Sequence, residues 1–186
     1  MIRLKNGSNF NIFMSATIDI VIPVLNEESA LPHCVVKLFA FTEHHPEWKW
    51  RVVIADNGSV DRTPEIAAQL ADKYNSLSIL RLEERGRGRA LKKAWSESDA
   101  DVRLYMDVDL STGLEALPSL VTSIVGEGYE VAIGSRLSKG SKVVNRSFKR
   151  EVTSRGYNIL IHLFFPFTKF KVAQCGFKAV SRRAAE

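Results

Sequence analysis

The chain predicts a three-layer α/β/α protein on a mainly parallel central sheet, and three observations carry that expectation. Short β-rich, almost continuously apolar runs recur, such as Ile18-Asp19-Ile20-Val21-Ile22-Pro23, as strands covered on both faces require. These runs alternate with stretches of helical periodicity in the order β-α-β-α-β-α-β-α-β. Polar clusters then follow the strands at Pro23 to Glu27, Asp56 to Asp61, Asp107 to Thr112 and Ser135-Arg136. Open α/β sheets bind ligands at that carboxyl edge.

Ile18 to Pro23 reads as a central strand. Asn26-Glu27-Glu28-Ser29 follows as a loop and helix start, and Leu31, Val35, Leu38, Phe39 and Phe41 mark an apolar helix face. Trp50 to Ala55 is the second strand, ended by the turn Asp56-Asn57-Gly58-Ser59. Thr63 is placed to cap the next helix, with Pro64 at its first position. Leu77 to Leu82 is the third strand, and the Gly86 to Gly88 turn opens a helix from about Ala90 to Ser96. Val102 to Met106 is a buried strand, a helix runs near Leu114 to Val125, and Glu130 to Gly134 is the fifth strand.

At 186 residues the chain suits one domain: a polar extension over residues 1–16, then a single folded domain over 17–186. Its 45% hydrophobic and 25% charged content is that of an ordinary globular protein rather than a disordered one. Cys34 and Cys175 have no metal-type spacing and make no disulfide framework, which suits a reducing cytoplasm and core packing. The net charge of +5 concentrates between Arg81 and Lys93 and between Arg136 and Arg155, a distribution suited to phosphates. Residues 1–16 lack the apolar run of a signal peptide. Ile159 to Phe167 falls short of the ~20 residues that span a bilayer. No helix-turn-helix pattern, aromatic platform or zinc ligand set supports a nucleic-acid partner.

Asp107-Val108-Asp109 carries the most chemistry. Two carboxylates one residue apart at the end of a parallel strand make a site for a hard cation, Mg²⁺ or Mn²⁺, holding a diphosphate. An ordinary acidic turn is the competing reading. Arg85-Gly86-Arg87-Gly88-Arg89 follows a strand and opens a helix, but it lacks the third glycine of a dinucleotide fingerprint. Its glycines also suit a plain tight turn.

Five segments in order resemble family 2 glycosyltransferases. They are Ile20 to Glu28, Val53 to Thr63, Met106 to Thr112, Gly134-Ser135-Arg136 and Gln174-Cys175-Gly176-Phe177-Lys178. The set is similar to the dolichyl-phosphate glucose and mannose synthases and their bacterial and archaeal polyprenyl-phosphate relatives. The resemblance spans about Ile18 to Arg182. It implies the GT-A (Rossmann-like) nucleotide-diphospho-sugar transferase fold, a UDP- or GDP-hexose donor and a polyprenyl phosphate acceptor.

The resemblance also implies roles. Pro23, Leu25, Glu27, Asp56, Gly58, Ser59, Arg87, Asp107, Val108, Asp109 and Arg136 would form the nucleotide-sugar site. Glu27 would accept hydrogen bonds from the ribose hydroxyls, or else is an acidic first-turn helix residue. Asp56 would read the base, because a carboxylate can accept the imide N–H of uracil; it also suits an Asx turn, and both can hold together. Asp107 and Asp109 would hold the metal, Asp109 the more directly, and Ser111 stands where some relatives add a ligand. Asp107, Asp109 and Arg136 form the catalytic set. Arg146, Arg150, Arg155, Gln174 and Lys178 would meet the acceptor phosphate, the arginines otherwise being a solvated helix face. The basic arm and residues 157–171 suit contact with the cytoplasmic face of a membrane, or alternatively a core helix and loop.

Two departures stand out. Val172 occupies the position where relatives usually carry an Asp, two residues before Gln174. An anionic phosphate acceptor needs a general base less than a sugar hydroxyl does. Ser181 to Glu186 reads as the opening of another helix, so by family standards the domain is truncated at its C-terminus. The expected activity is an inverting, metal-dependent transfer of a hexose, UDP-glucose favoured over GDP-mannose, to a polyprenyl or dolichyl phosphate. The alternatives are a polysaccharide-building transferase with a sugar hydroxyl acceptor, or an inactive nucleotide-sugar-binding paralogue.

Overall fold

The computed structural model describes residues 16–83, 86–134 and 176–185. Within them the chain runs β1 (Thr17–Val24), α1 (Leu31–Thr42), β2 (Lys49–Asp56), α2 (Thr63–Lys73), β3 (Leu77–Arg81), α3 (Arg87–Ser96) and β4 (Val102–Met106). A single 3₁₀ turn (Leu114–Ala116), α4 (Leu117–Val125), β5 (Val131–Ile133), β6 (Phe177–Ser181) and the short α5 (Arg182–Ala185) follow. The strands form one six-stranded sheet in the order β3-β2-β1-β4-β6-β5.

β1 is central, paired parallel with β2 on one side and β4 on the other. Its sequence accounts for this position: Ile18, Ile20, Ile22 and Val24 point into the main core while Val21 faces the other side. α1, α2 and α4 cover the first face through Leu31, Val35, Leu38, Ala67, Leu70, Leu117 and Val121. α3 covers the second face, where Ala90 and Ala94 bring its backbone close to Val21 and Ala55. The chain steps outward from β1 to β3 and then returns across the sheet to β4. That reversal makes a topological switch point between β1 and β4, the place where an open α/β sheet leaves a crevice.

The three-layer, mainly parallel architecture matches the sequence expectation. One strand was missed. β6 inserts antiparallel between β4 and β5, so β5 is not the neighbour of β4. Phe177 and Ala179 bury while Lys178 is only half-buried, and five residues with a central lysine read weakly as a strand. Boundaries also moved. α3 begins at Arg87, before the expected Ala90. The segment expected as one helix from Leu114 divides into the 3₁₀ turn and α4, whose first turn holds Pro118, a residue suited to a helix start because it has no N–H to leave unpaired.

A band of charge lies on the α3 face near the amino ends of the strands. Asp19 is buried and receives Arg51 in a bidentate pair at 2.6 and 2.9 Å, with Ser98 Oγ at 2.5 Å. Arg103, beside Asp19 in register, donates to the carbonyls of Ser98 and Arg182. These bonds tie the 98–101 connection and α5 to the sheet, at the opposite end from the crevice. Among the described residues, no helix is long and apolar enough to cross a membrane.

Candidate functional site

A cavity of about 440 Å³ opens at the switch point, lined by Pro23, Val24, Leu25, Glu27, Asn57, Gly86, Asp107, Val108 and Asp109. Four connections supply it: those after β1, β2 and β4, and the one that leads into α3. A second cavity of about 360 Å³ lies toward the amino ends of β3 and β4, around Asp19, Arg51 and Asp99. Its charges are already spent on each other, since Arg51 also meets Asp99 at 2.6 Å. The switch-point cavity, by contrast, gathers Glu27, Asp107 and Asp109 at the carboxyl edge of the sheet.

The wall after β1 is held by the connection after β2. Asn26 N–H donates to Ser59 Oγ at 2.9 Å, Glu27 N–H to Thr63 Oγ1 at 2.8 Å and Glu28 N–H to Asp61 Oδ2 at 3.2 Å. Three consecutive amides are thus taken by three side-chain oxygens of one loop. The bonds are returned: Val60 N–H donates to Asn26 Oδ1 at 2.9 Å and Arg62 N–H to Glu28 Oε2 at 3.0 Å. Asn26 itself sits in the left-handed region at φ 56°, a conformation asparagine tolerates better than most residues. The Glu27 carbonyl accepts the N–H groups of Ala30 and Leu31 and so starts α1, which has no side-chain cap. Thr63 therefore does not act as the expected N-cap. It is the first residue of α2, its N–H bonded to Asp61 Oδ1 at 3.0 Å while its hydroxyl serves Glu27.

Asp56 closes β2 and is 1% exposed. Its Oδ1 accepts both the N–H of Ser59 at 3.0 Å and the hydroxyl of Ser59 at 2.6 Å, three residues on and so one residue further than the Asx turn expected from the sequence. Its Oδ2 accepts no hydrogen bond; Arg81 Nε stands 3.6 Å away, close enough for charge pairing only. Gly58 makes the turn possible. It sits at φ +78°, and a Cβ there would come within 3.1 Å of the Glu83 carbonyl. Beside it, the buried Asn57 has an Oδ1 without a hydrogen-bond donor.

At the end of β4 the two acidic residues differ. Asp107 Oδ1 accepts the hydroxyl of Tyr105 at 2.5 Å. On its other side, a Cβ at Gly176 would come within 2.4 Å of Asp107 Oδ2, so only glycine lets the strand pass so close. Asp109 is exposed and accepts the N–H of Ser111 on Oδ1 at 2.9 Å. Leu110, next along, takes φ 51°, an unusual conformation for a bulky residue that its packing on the main core offsets. Two hard carboxylates facing a cavity fit Mg²⁺ or Mn²⁺, ions that take one or two protein carboxylates and complete their shell with phosphate and water. Among the described residues no group of three or more His, Cys, Asp or Glu forms a self-sufficient metal cage. Beneath the site, burial pushes the Cys34 thiol up to about 12, with the charge of Asp109 adding to it, so Cys34 is a neutral core residue as its sequence context suggested.

Pro23, Leu25, Glu27, Asp107, Val108 and Asp109 thus line one cavity, with Asp56, Gly58 and Ser59 beside it. Lys178 lies in β6, in register with Tyr105 and Ile133, and does not line the cavity. The α3 backbone places Arg87 just after Gly86. Arg136, Arg146, Arg150, Arg155, Val172, Gln174 and the 157–171 segment lie outside the described residues. Sequence reasoning passed over Asn26, Asn57, Thr63 and Tyr105 as site-building residues. For Asn26 and Asn57 the signal was present, since both fall in polar strand-end loops. Tyr105 looked like any strand aromatic.

Two predictions follow from this geometry. Gly176→Ala must displace the Asp107 carboxylate, and thermal unfolding should show a loss of about 1–3 kcal/mol. Asp61 is pushed up by partial desolvation, but its bonds from Thr63 and Glu28 outweigh this and hold it below its ordinary value. Its contribution is therefore complete above the unfolded value and is lost as pH falls through the lower folded one. Amide exchange at Glu28 should accelerate specifically once the pH drops below about 4, and Asp61→Asn should abolish that step.

The comparisons with known proteins agree with this geometry. Residues 19–186 match the description of glycosyl transferase family 2. The glycosyltransferase AglD of Haloferax volcanii is 36% identical over 171 residues, covering 91% of this chain and 27% of its own length. A dolichol-phosphate mannosyltransferase of Pyrococcus furiosus is 32% identical over 171 residues, 91% of this chain and 47% of its own. The chain thus spans less than half the length of these two relatives. Among solved structures, glucosyl-3-phosphoglycerate synthase of Mycobacterium tuberculosis in complex with Mn²⁺, UDP-glucose and phosphoglyceric acid superposes with a TM-score of 0.63 at 20% identity, over 97% of this chain and 63% of that one. That likeness establishes the shared GT-A fold, and the match across nearly the whole chain establishes that this protein belongs to glycosyl transferase family 2.

Proposed function

We propose that residues 17–186 form the catalytic domain of an inverting, metal-dependent hexosyltransferase that moves a sugar from a nucleotide donor to a polyprenyl phosphate. The observation that carries this reading is the convergence of Glu27, Asp107 and Asp109 on one cavity, with Asp56, whose buried Oδ2 has no hydrogen-bond donor, next to the lining residue Asn57. A nucleoside diphosphate sugar offers matching groups: a base with an N–H donor for Asp56, adjacent ribose hydroxyls for Glu27, and a diphosphate whose charge requires a cation. Asp109 would hold Mg²⁺ or Mn²⁺, and Asp107 would be directed toward the sugar, the ribose or the metal's water. The cation supplies charge neutralisation for the departing diphosphate.

The acceptor phosphate oxygen attacks the anomeric carbon in line, and the bond from that carbon to the nucleoside diphosphate breaks. The nucleophile is already an anion near neutral pH, so positioning and electrostatics carry the catalysis and no strong general base is needed. Kinship with a protein named dolichol-phosphate mannosyltransferase supports the lipid phosphate acceptor. The one Asp56 oxygen without a hydrogen-bond donor suits the imide N–H of uracil, which favours UDP-glucose as donor, with GDP-mannose second. Arg136 meets the sugar or diphosphate; Arg146, Arg150, Arg155, Gln174 and Lys178 meet the acceptor phosphate. The basic arm and residues 157–171 rest on the cytoplasmic face of a membrane.

The test is a transfer assay with UDP- and GDP-hexoses, a short polyprenyl phosphate and Mg²⁺ or Mn²⁺. Wild-type protein should form the lipid-linked sugar, chelation should stop it, and Asp109→Ala should lower the rate by roughly 10²-fold or more. Full metal-dependent transfer by Asp109→Ala would refute the assignment.

A further inference from the structure

We infer that Ser59 is a positioning residue that couples recognition of the donor's base at Asp56 to recognition of its ribose at Glu27. The inference rests on the nucleotide-sugar reading above and adds how two parts of that site are made to act together. Ser59 is 4% exposed, so water does not compete for its hydroxyl. That hydroxyl has one proton, donated to Asp56 Oδ1 at 2.6 Å. Its lone pairs then accept Asn26 N–H at 2.9 Å. The direction of the relay is unambiguous, because a carboxylate at neutral pH only accepts and an amide N–H only donates.

Two consequences follow at opposite ends. At Asp56, the N–H and hydroxyl of Ser59 occupy Oδ1 and leave Oδ2, buried 3.6 Å from Arg81 Nε, as the one oxygen without a hydrogen-bond donor. At the β1–α1 loop, the same hydroxyl secures Asn26 in its left-handed conformation, immediately before Glu27. Val60 N–H on Asn26 Oδ1 closes the ring from the other side. Movement of the Asp56 carboxylate is therefore transmitted through one buried hydroxyl to the residue that sets where Glu27 enters the cavity. Hydrogen bonds to charged acceptors are stronger than neutral ones, which makes this link a stiff one.

The experiment compares wild-type protein with Ser59→Ala by calorimetry, titrating UDP and GDP against their 2′-deoxy counterparts in the presence of Mn²⁺. Ser59→Ala should weaken binding roughly tenfold. The wild-type preference for the ribonucleotide should also shrink toward unity. A residue with a merely structural role would weaken both ligands alike, so an unchanged preference overturns the inference.

A second arm needs no ligand. In free protein, Asp56→Ala, which removes the acceptor of the Ser59 hydroxyl, should speed amide exchange at Asn26, although residue 56 does not touch that amide directly. Unchanged exchange there overturns the relay, even where Ser59→Ala fails to fold. Wild-type protein that binds neither UDP nor GDP would refute the nucleotide-sugar reading, and with it the coupling of base to ribose. The exchange arm would still report separately whether the relay exists.

Discussion

Everything at the binding edge depends on where three consecutive amides find acceptors. As the chain leaves β1 it turns sharply toward α1, and Asn26, Glu27 and Glu28 present their N–H groups away from any strand or helix ladder. A fully buried amide left unpaired costs about 1–3 kcal/mol, an upper bound for the part-buried bonds of Asn26 and Glu27, while that of Glu28 is exposed. Ser59, Thr63 and Asp61 meet them one for one, and Val60 and Arg62 return the bonds. Two loops that would move independently become one wall. A binding site placed on loops gains the rigidity of the sheet beneath only through such cross-bracing.

The opposite wall follows a different design. Asp107 is clamped, with Tyr105 on one oxygen and the Gly176 backbone against the other, whereas Asp109 projects into solvent from a turn carried by the unusual backbone of Leu110. Asp107 is thus fixed from two sides, while Asp109 is exposed and accepts the N–H of Ser111. β6 matters here for a reason unrelated to its own side chains. By entering antiparallel beside β4 it brings Gly176 against Asp107, so the distal part of the chain completes a site that begins at residue 23.

Much of this was legible beforehand, and the limits have physical causes. β1, β2 and β4 announce themselves because strands buried on both faces must be apolar throughout. The clusters at their carboxyl ends then locate the crevice without coordinates. β6 escaped because Phe177 to Ser181 is short and carries a lysine, and its place is decided by pairing with strands remote in sequence. Thr63 shows the same limit at the scale of one hydroxyl. Before a proline it has the local signature of a helix cap, yet a tertiary partner, the amide of Glu27, claims its oxygen. Ser59 was visible as part of a motif, but which two groups its hydroxyl joins is a three-dimensional fact.

Membership of glycosyl transferase family 2 and the shape of the cavity point to one central claim, that the β1–β4 crevice holds a nucleoside diphosphate and a divalent cation together. A crystal structure with UDP and Mn²⁺, using the anomalous signal of manganese, tests it most directly. The account predicts the base against Asp56 Oδ2, the ribose beside Glu27, and manganese between the diphosphate and Asp109. Nucleotide bound instead in the cavity around Arg51 and Asp99, or manganese away from Asp107 and Asp109, would contradict it.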